Sequence, residues 1–196
     1  MATGAVTPAL LLKGPGILYS APLVTAEPSH TPTAGLFPTV AWGGSWVPLG
    51  STDAGSQFAD SLDTDSVNVA ESVYPQAIVG TARNATWTVA LAEWNKTNLQ
   101  RALNGGTITS SGTSGTTLTQ IDPPDVGQET RYMVGWQNEG NDVRFVGRQA
   151  LQTGDVSAGF RKGADNATLA IVWRFEKPAA GGPPYSIYLA GTTRSS

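Results

Sequence analysis

Residues 84–103 read NATWTVALAEWNKTNLQRAL, and this stretch contains two hydrophobic periods in succession. In its first half, Trp87, Val89 and Leu91 alternate with small or polar residues, which is the period of two expected of a β-strand. In its second half, the apolar residues recur at intervals of three and four, which is the spacing of one helix face. The stretch therefore predicts a strand that leads into a short helix.

The predicted helix has a start signal, an apolar face and a stop signal. Asn95 is a suitable N-cap, because its side-chain oxygen can accept from an amide of the first turn. Leu99, Ala102 and Leu103 share one face, and we expect this face to pack on the outer side of the domain. The Asn-Gly pair at 104–105 tolerates positive φ and so predicts the end of the helix.

The rest of the chain is rich in strand signals separated by Gly, Pro, Asn and Asp. The signals add up to roughly eight strands and one helix. This count predicts a mainly β fold, in the form of a β-sandwich or partly closed barrel with one flanking helix. Besides 84–91, the strand segments are 16–20, 45–50, 65–74, 130–137, 143–149, 156–160, 166–176 and 185–189.

Three further features concern how these strands are connected. Residues 166–176 begin with the same Asn-Ala-Thr as residues 84–91, and both continue with alternating apolar residues. One interpretation is that the two segments are equivalent strands in two facing sheets. The polar residues 52–63 are interpreted as the connection of a long hairpin, and the Gly/Ser/Thr-rich residues 105–115 as a loop.

These signals divide the chain into three regions. Residues 1–44 contain a short strand followed by an extended arm from 21 to 44, because six prolines exclude long helices and interior strands. A loop of this length usually has a function, and in an assembling subunit it is suited to lie on a neighbour. Residues 45–176 form the β core with the helix near 95–104. Residues 177–196 form a tail with a possible last strand.

The composition limits the chemistry available to the chain. Its 196 residues are enough for one domain, and 14% charged residues is a low value, typical of surfaces buried against partners and of β-rich phage or secreted proteins. The net charge of −3 argues against a protein that holds nucleic acid by its phosphates. There is no cysteine, and His30 is the only histidine. His30 lies between prolines and is interpreted as an exposed loop residue that cannot build a multi-histidine metal site.

No motif for catalysis or cofactor binding is present, so we expect a protein that is not an enzyme and has no cofactor or metal. The run of three leucines at 10–12 is too short for a secretory signal, and no run of 18 apolar residues predicts a membrane span. The acidic residues have no spacing that favours paired-carboxylate catalysis. Those in the first half of the core are Asp53, Asp60, Asp63, Asp65 and Glu71.

Five segments occur in a characteristic order: WVPLGSTDAG (46–55), DSVNVAE (65–71) followed by Pro75, LAE (91–93), TNLQRAL (97–103) and ATLAIVW (167–173). In this order they resemble the major tail tube proteins of long-tailed, siphovirus-like bacteriophages, particularly those that infect actinobacteria. The resemblance covers about residues 40–176. It implies a β-sandwich or barrel of two sheets with one flanking helix, in agreement with the count of elements.

The resemblance also implies assembly and partners. Subunits of this family form hexameric rings that stack into a tube, and one sheet of each subunit joins a continuous β-barrel around the lumen. Expected partners are further copies of the chain, the tape measure protein, and the tail terminator and distal tail proteins at the tube ends. The protein would be assembled in the host cytoplasm and reside in the virion tail.

The lumen of such tubes tends to be acidic, so that DNA passes through during ejection without specific binding. The five acidic residues named above are therefore candidates for the lumen or its loops. The arm at 21–44, the connection at 50–64 and the C-terminal tail are candidates for contacts with the next ring.

Two other functions remain open from the sequence. One is another virion β-protein, either a head-decoration or a head–tail connector subunit of similar composition. The other is a carbohydrate-binding β-sandwich that uses exposed tryptophans, with Trp46 and Trp136 as the candidates. For the tryptophans of the predicted strands, packing in the core or at a subunit interface is the competing interpretation.

Overall fold

The computed structural model describes residues 15–38, 42–68, 70, 73–113, 116–156 and 168–191. These residues form ten β-strands and one α-helix, so the predicted mainly β fold with a single helix is confirmed. The elements are β1 (Gly16–Pro22), β2 (Val47–Pro48), β3 (Thr52–Val67), β4 (Ala77–Leu91), α1 (Lys96–Ala102), β5 (Thr107–Thr113), β6 (Thr116–Asp122), β7 (Tyr132–Asn138), β8 (Val143–Gln152), β9 (Leu169–Phe175) and β10 (Tyr185–Leu189).

Eight strands belong to one antiparallel sheet that branches at β8. The sheet runs in the order β2-β1-β7-β8-β9-β4-β3, and β10 also pairs with β8. Residues 143–147 of β8 pair with β10, whereas residues 150–152 pair with β9. Because β8 is shared in this way, the sheet folds into two layers that face each other. The result is sandwich-like and is not a closed barrel.

The main hydrophobic core lies between the two layers. Trp87 of β4 contacts Phe145 of β8, with ring centroids 4.6 Å apart, and Phe58 of β3 contacts Tyr185 of β10 at 5.0 Å. The buried side of the 84–91 strand is the side that its alternation predicts. It forms one wall of this core.

The interpretation of 84–91 and 166–176 as equivalent strands in facing sheets is wrong. β4 and β9 are hydrogen-bonded neighbours in the same sheet, and Trp87 is paired with Trp173. Their similar alternation follows from this adjacency, because neighbouring strands with one face on the same core expose the same sequence pattern to it.

A second, smaller core covers the opposite face of β1, β7 and β8. It contains Ala21, Met133 and Val146, and residues 23–38 and 42–46 lie over it. Both faces of β7 and β8 are therefore buried. This explains why apolar residues occur at both odd and even positions of these strands.

Gly135 of β7 lets this cover approach closely. A Cβ atom at Gly135 would lie 2.2 Å from the ring of Trp42 and 3.0 Å from that of Trp46. The absence of a side chain at this position allows the two indoles to pack on the backbone of the sheet.

Helix α1 begins and ends at the signals seen in the sequence. The side chain of Asn95 accepts from the amide of Asn98 at 2.9 Å, as expected of an N-cap. Beyond the helix, Asn104 and Gly105 have φ values of 56° and 106°. Ala102 lies in the main core and Leu99 packs against it, whereas Leu103 is half-buried.

Two polar helix residues are also buried, which the apolar spacing did not indicate. The side chain of Asn98 donates to the carbonyls of Leu49 and Glu93 at 3.0 and 2.9 Å. Arg101 donates to the hydroxyl of Ser20 at 2.9 Å and lies over the ring of Tyr132. These contacts fasten α1 to the β1 side of the domain.

Two segments interpreted as connections are strands. Residues 52–63 belong to β3, whose 16 residues pair with β4, and the strand predicted at 65–74 continues only to Val67. Residues 107–113 form β5, which pairs with β6 in a hairpin. In both cases pairing with an adjacent strand satisfies the backbone, so polar sequences adopt strand structure without an apolar face. Residues 157–160 of the strand predicted at 156–160 lie outside the described residues.

Candidate assembly surface

The β3–β4 hairpin extends beyond the sandwich. We call its outer part, residues 59–83, the hairpin tip. Every described residue of the tip is exposed, which means that neither face of this two-stranded ribbon is covered. Several large apolar side chains are among them: Leu62, Val67, Val73, Tyr74, Ile78 and Val79. Such a ribbon is marginally stable alone in water, so its apolar residues indicate a surface that another molecule covers.

β3 is also the last strand of the sheet. Within the described part of the chain, its outer edge has no partner strand along 16 residues. A long edge of this kind presents a row of backbone donors and acceptors and is a template for pairing with a strand of another chain.

The acidic residues predicted for this region lie along β3. Asp60 accepts from Arg83 of β4 at 2.9 Å and also from the hydroxyl of Tyr185 on β10. The hydrogen bond from Arg83, followed by that from Tyr185, holds the pKa of Asp60 below its ordinary value. Asp60 therefore joins three strands at the base of the tip and is not a free charge.

Asp63 and Asp65 lie farther along the tip and have weaker partners. Asp63 accepts from the side-chain amide of Asn84 at 3.1 Å, and Asp65 accepts from the adjacent amide of Ser66 at 2.8 Å. Glu71 lies outside the described residues, as does the side chain of Asp53. From 61 to 82 the sequence contains three acidic residues and no lysine or arginine, so the outer tip is acidic.

The β5–β6 hairpin is a second exposed extension with a different surface. Its sequence from 107 to 121 contains no charged residue and is rich in Thr and Ser. Helix α1 lies beside β6, which connects this hairpin to the core. The two hairpins therefore offer one acidic and one uncharged surface.

The segment from 23 to 38 is fastened to its own subunit by a hub at Glu27. The carboxylate of Glu27 accepts from Arg148 at 2.6 Å, from His30 at 3.1 Å and from the hydroxyl of Tyr188 at 3.2 Å. His30 also stacks on Tyr188, with ring centroids 3.6 Å apart. The interpretation of His30 as an exposed loop residue is therefore wrong, because the segment folds back onto β8 and β10.

The hub shifts the pKa values of its members. Burial raises the pKa of Glu27, but hydrogen bonds from His30 and Arg148 outweigh burial, and the net pKa lies below the ordinary value. Burial lowers the pKa of His30, and its hydrogen bond to Glu27 offsets only part of this effect. His30 is therefore neutral near pH 7.

Arg144 also holds this segment on the sheet, through hydrogen bonds to its backbone. Its fully buried side chain donates to the backbone carbonyls of Ser29 at 2.6 Å and Pro38 at 3.1 Å, and to the side-chain oxygen of Gln137. It also lies over the ring of Phe37. Burial lowers the pKa of Arg144. These contacts hold residues 23–38 on their own sheet.

Sequence reasoning missed Arg144 and Arg148, although a signal was present. The two residues share a face of β8 with Val146, which is the side opposite to Phe145. Charged residues on a strand that is apolar on both sides indicate a covering segment with hydrogen-bond acceptors.

The tryptophans do not form a carbohydrate platform on the described surface. Trp46 is buried, and its indole nitrogen donates to the carbonyl of Ala26 at 2.9 Å. Trp87 and Trp173 are buried in the main core, and Trp136 packs against it. Of the two candidates for sugar stacking, Trp46 is therefore occupied by packing, and Trp136 is half-buried against the core.

Among the described residues, no group of three or more His, Cys, Asp or Glu side chains is placed to hold a metal ion. In the same part of the chain, no helix is long and apolar enough to cross a membrane. A family model described as "phage tail tube protein" matches residues 4–166. Among curated proteins, none matches the chain.

Proposed function

The chain belongs to the phage tail tube protein family, and from this membership we propose that its subunits form hexameric rings that stack into the conduit for DNA ejection. At the level of the family, it is a structural subunit of a phage tail tube. Self-assembly and a place in the virion tail follow from the same membership. On the order of the sequence segments, we also propose a long, siphovirus-like tail and an actinobacterial host.

The observation that carries the assembly proposal is the hairpin tip. Ile78 and Val79 are more than half exposed on the same short stretch of β4, and Leu62 is equally exposed on β3. Among the strands that the structure describes, none pairs with the outer edge of β3, which adds a row of backbone donors and acceptors. In a ring, a neighbouring subunit covers this apolar surface and pairs with this edge, which removes both features from water.

The charge of the tip suggests which side faces the lumen. Within the described part of the chain, Asp63 and Asp65 have no arginine partner, and Glu71 follows in the sequence. Tips arranged around a bore give it a negative potential, which repels phosphate and lets DNA slide. The tape measure protein would occupy this bore during assembly, with the tail terminator and distal tail proteins at the tube ends. Assembly takes place in the host cytoplasm.

Contacts between rings require a different exposed surface. The β5–β6 hairpin is uncharged and extends from the core beside α1. We assign the contact with the next ring to this hairpin and to the C-terminal tail. Residues 23–38 are less suited to reach across, since the Glu27 and Arg144 contacts hold them on their own sheet.

The assembly role of the tip is tested with matched exposed valine and isoleucine positions. Ile78→Asp places a charge on the tip, whereas Val126→Asp places the same charge at a fully exposed loop position. We expect Ile78→Asp to abolish rings and tubes in negative-stain electron microscopy, and Val126→Asp to assemble like the wild type. Both proteins are examined with the tape measure protein present, and circular dichroism verifies the fold. Normal tubes from Ile78→Asp would refute the role of the tip.

A further inference from the structure

An open apolar groove of about 590 Å³ lies at one end of the sandwich, between β3 and β10. Aromatic side chains of the main core form its floor, and the last residues of β10 form a wall. The lining includes Phe58, Trp87, Trp136, Phe145, Ile187 and Leu189. Within the described part of the chain, no residue covers the main core at this end.

The groove exists because the two layers separate along β10. Tyr185, Ile187 and Leu189 lie on the same face of this strand. Tyr185 packs against Phe58, but Ile187 is 52% exposed and Leu189 is 72% exposed. These two side chains point toward the interior side of the sandwich, where the structure provides no covering residue within the described chain.

The strands on both sides of the groove have free edges. β3 is the last strand of the main sheet order, and within the described part of the chain β10 pairs only with β8. An extended segment placed between them finds apolar side chains on one side and backbone donors and acceptors along its length.

The described part of the chain begins next to this groove. Pro15 is the first described residue, and it lines a smaller cavity together with Ser56 and Trp136, both of which also line the groove. Upstream, residues 9–12 read ALLL and are joined to Pro15 by Lys13 and Gly14. An extended chain spans at most about 3.3–3.6 Å per residue, so a segment of this length reaches roughly 10–20 Å from Pro15.

We propose that residues 9–12 of the same chain occupy the groove. A tether of two residues gives the leucines a high effective concentration at this site, which favours the chain's own segment over any other apolar partner. Their burial removes the leucines and the exposed part of β10 from water together. The segment thereby completes the core of the single subunit, independently of whether the subunit forms a tube.

The absence of cysteine makes a cross-linking test specific. Leu11→Cys is combined with Leu189→Cys in the groove, and in a control with Leu118→Cys on β6, which is 67% exposed. Under dilute oxidising conditions, we expect the groove pair to form an intrachain disulfide at least about tenfold faster than the control pair. Equal rates would overturn the proposal. Mixing isotope-labelled and unlabelled chains identifies the source, and disulfides only between chains would also overturn it.

A second measurement does not depend on cysteine geometry. Changing Leu10, Leu11 and Leu12 together to Ser empties the groove, while Val6→Ser in the same segment leaves the leucines intact. We expect the triple variant to bind the dye ANS several times more strongly than the wild type, and Val6→Ser to bind it equally. A wild type that binds as much ANS as the triple variant would show that the groove is already empty and would overturn the proposal.

Discussion

Replacement of Gly135 by Ala tests how the covering segment, residues 23–38 and 42–46, is held on the sheet. The new Cβ atom would lie 2.2 Å from the Trp42 ring, whereas carbon atoms in normal contact are about 3.5–4.0 Å apart. The indole therefore has to move by more than 1 Å. Its present position is defined by a 2.8 Å hydrogen bond to Gln137 and by stacking on Tyr19 at 4.4 Å.

The expected cost follows from these contacts. Overpacking in a filled site costs about 1–3 kcal/mol, a lost hydrogen bond about 1 kcal/mol and a lost aromatic pair about 1 kcal/mol. These alternatives overlap, because a ring that leaves its site relieves the overpacking. We therefore expect Gly135→Ala to lower the free energy of unfolding by about 2–3 kcal/mol.

The matched control is Gly44→Ala in the covering segment itself. No atom lies within 4 Å of the position where a Cβ would be added at Gly44, so we expect little change. Urea unfolding measures both free energies. Chymotrypsin cleavage after Leu36 measures release of the segment, and only Gly135→Ala should accelerate it. Equal stability and equal cleavage of the two variants would show that packing of the Trp42 ring on Gly135 does not hold the covering segment on the sheet.

Three other predictions address the hub, the helix and the tip. Burial lowers the pKa of His30 below its ordinary value of 6.5, so near this pH the folded protein binds fewer protons than the unfolded chain. The resulting stability is fully present above pH 6.5 and is lost as the pH falls through the pKa of the folded state. We expect urea midpoints to fall between about pH 7 and pH 5 and to fall less in His30→Gln; an unchanged pH slope in the variant would contradict this. Asn95→Ala should cost about 1 kcal/mol in urea unfolding by removing the N-cap, whereas Asn68→Ala, at an exposed position, should cost little; equal effects would argue against the cap. Tubes carrying both Asp63→Lys and Asp65→Lys should retain double-stranded DNA at low salt in gel-shift assays. Tubes carrying Val126→Lys and Gln128→Lys, at exposed loop positions, should not, and no retention in either would count against an acidic bore.

Local signals in the sequence were sufficient for the strand and helix at 84–103. The alternation of Trp87, Val89 and Leu91 identified the buried face of β4, and Asn95 identified the start of α1. These features depend on neighbours within four residues, so a local pattern contains the necessary information. The hairpin of β7 and β8 was predictable for the same reason.

Polar strands were less predictable than apolar ones. Residues 52–63 of β3 and residues 107–113 of β5 were interpreted as connections because they show little apolar alternation. Their structure depends on backbone pairing with β4 and β6, and a backbone hydrogen bond leaves no trace in side-chain hydrophobicity. The acidic residues were identified, but the sequence did not show that Asp60 is paired with Arg83 whereas Asp63 and Asp65 extend along the tip.

The sequence by itself determined the class of the fold, the single capped helix, the acidic stretch at 61–82 and the resemblance to tail tube proteins. Each of these depends on composition or on spacing along the chain. Only the tertiary structure decided that β4 and β9 are neighbours, that Arg144 and Glu27 hold residues 23–38, and that the described residues leave a groove beside β10. These features join residues that are far apart in the chain, and the free energy of such contacts depends on geometry that no local pattern encodes.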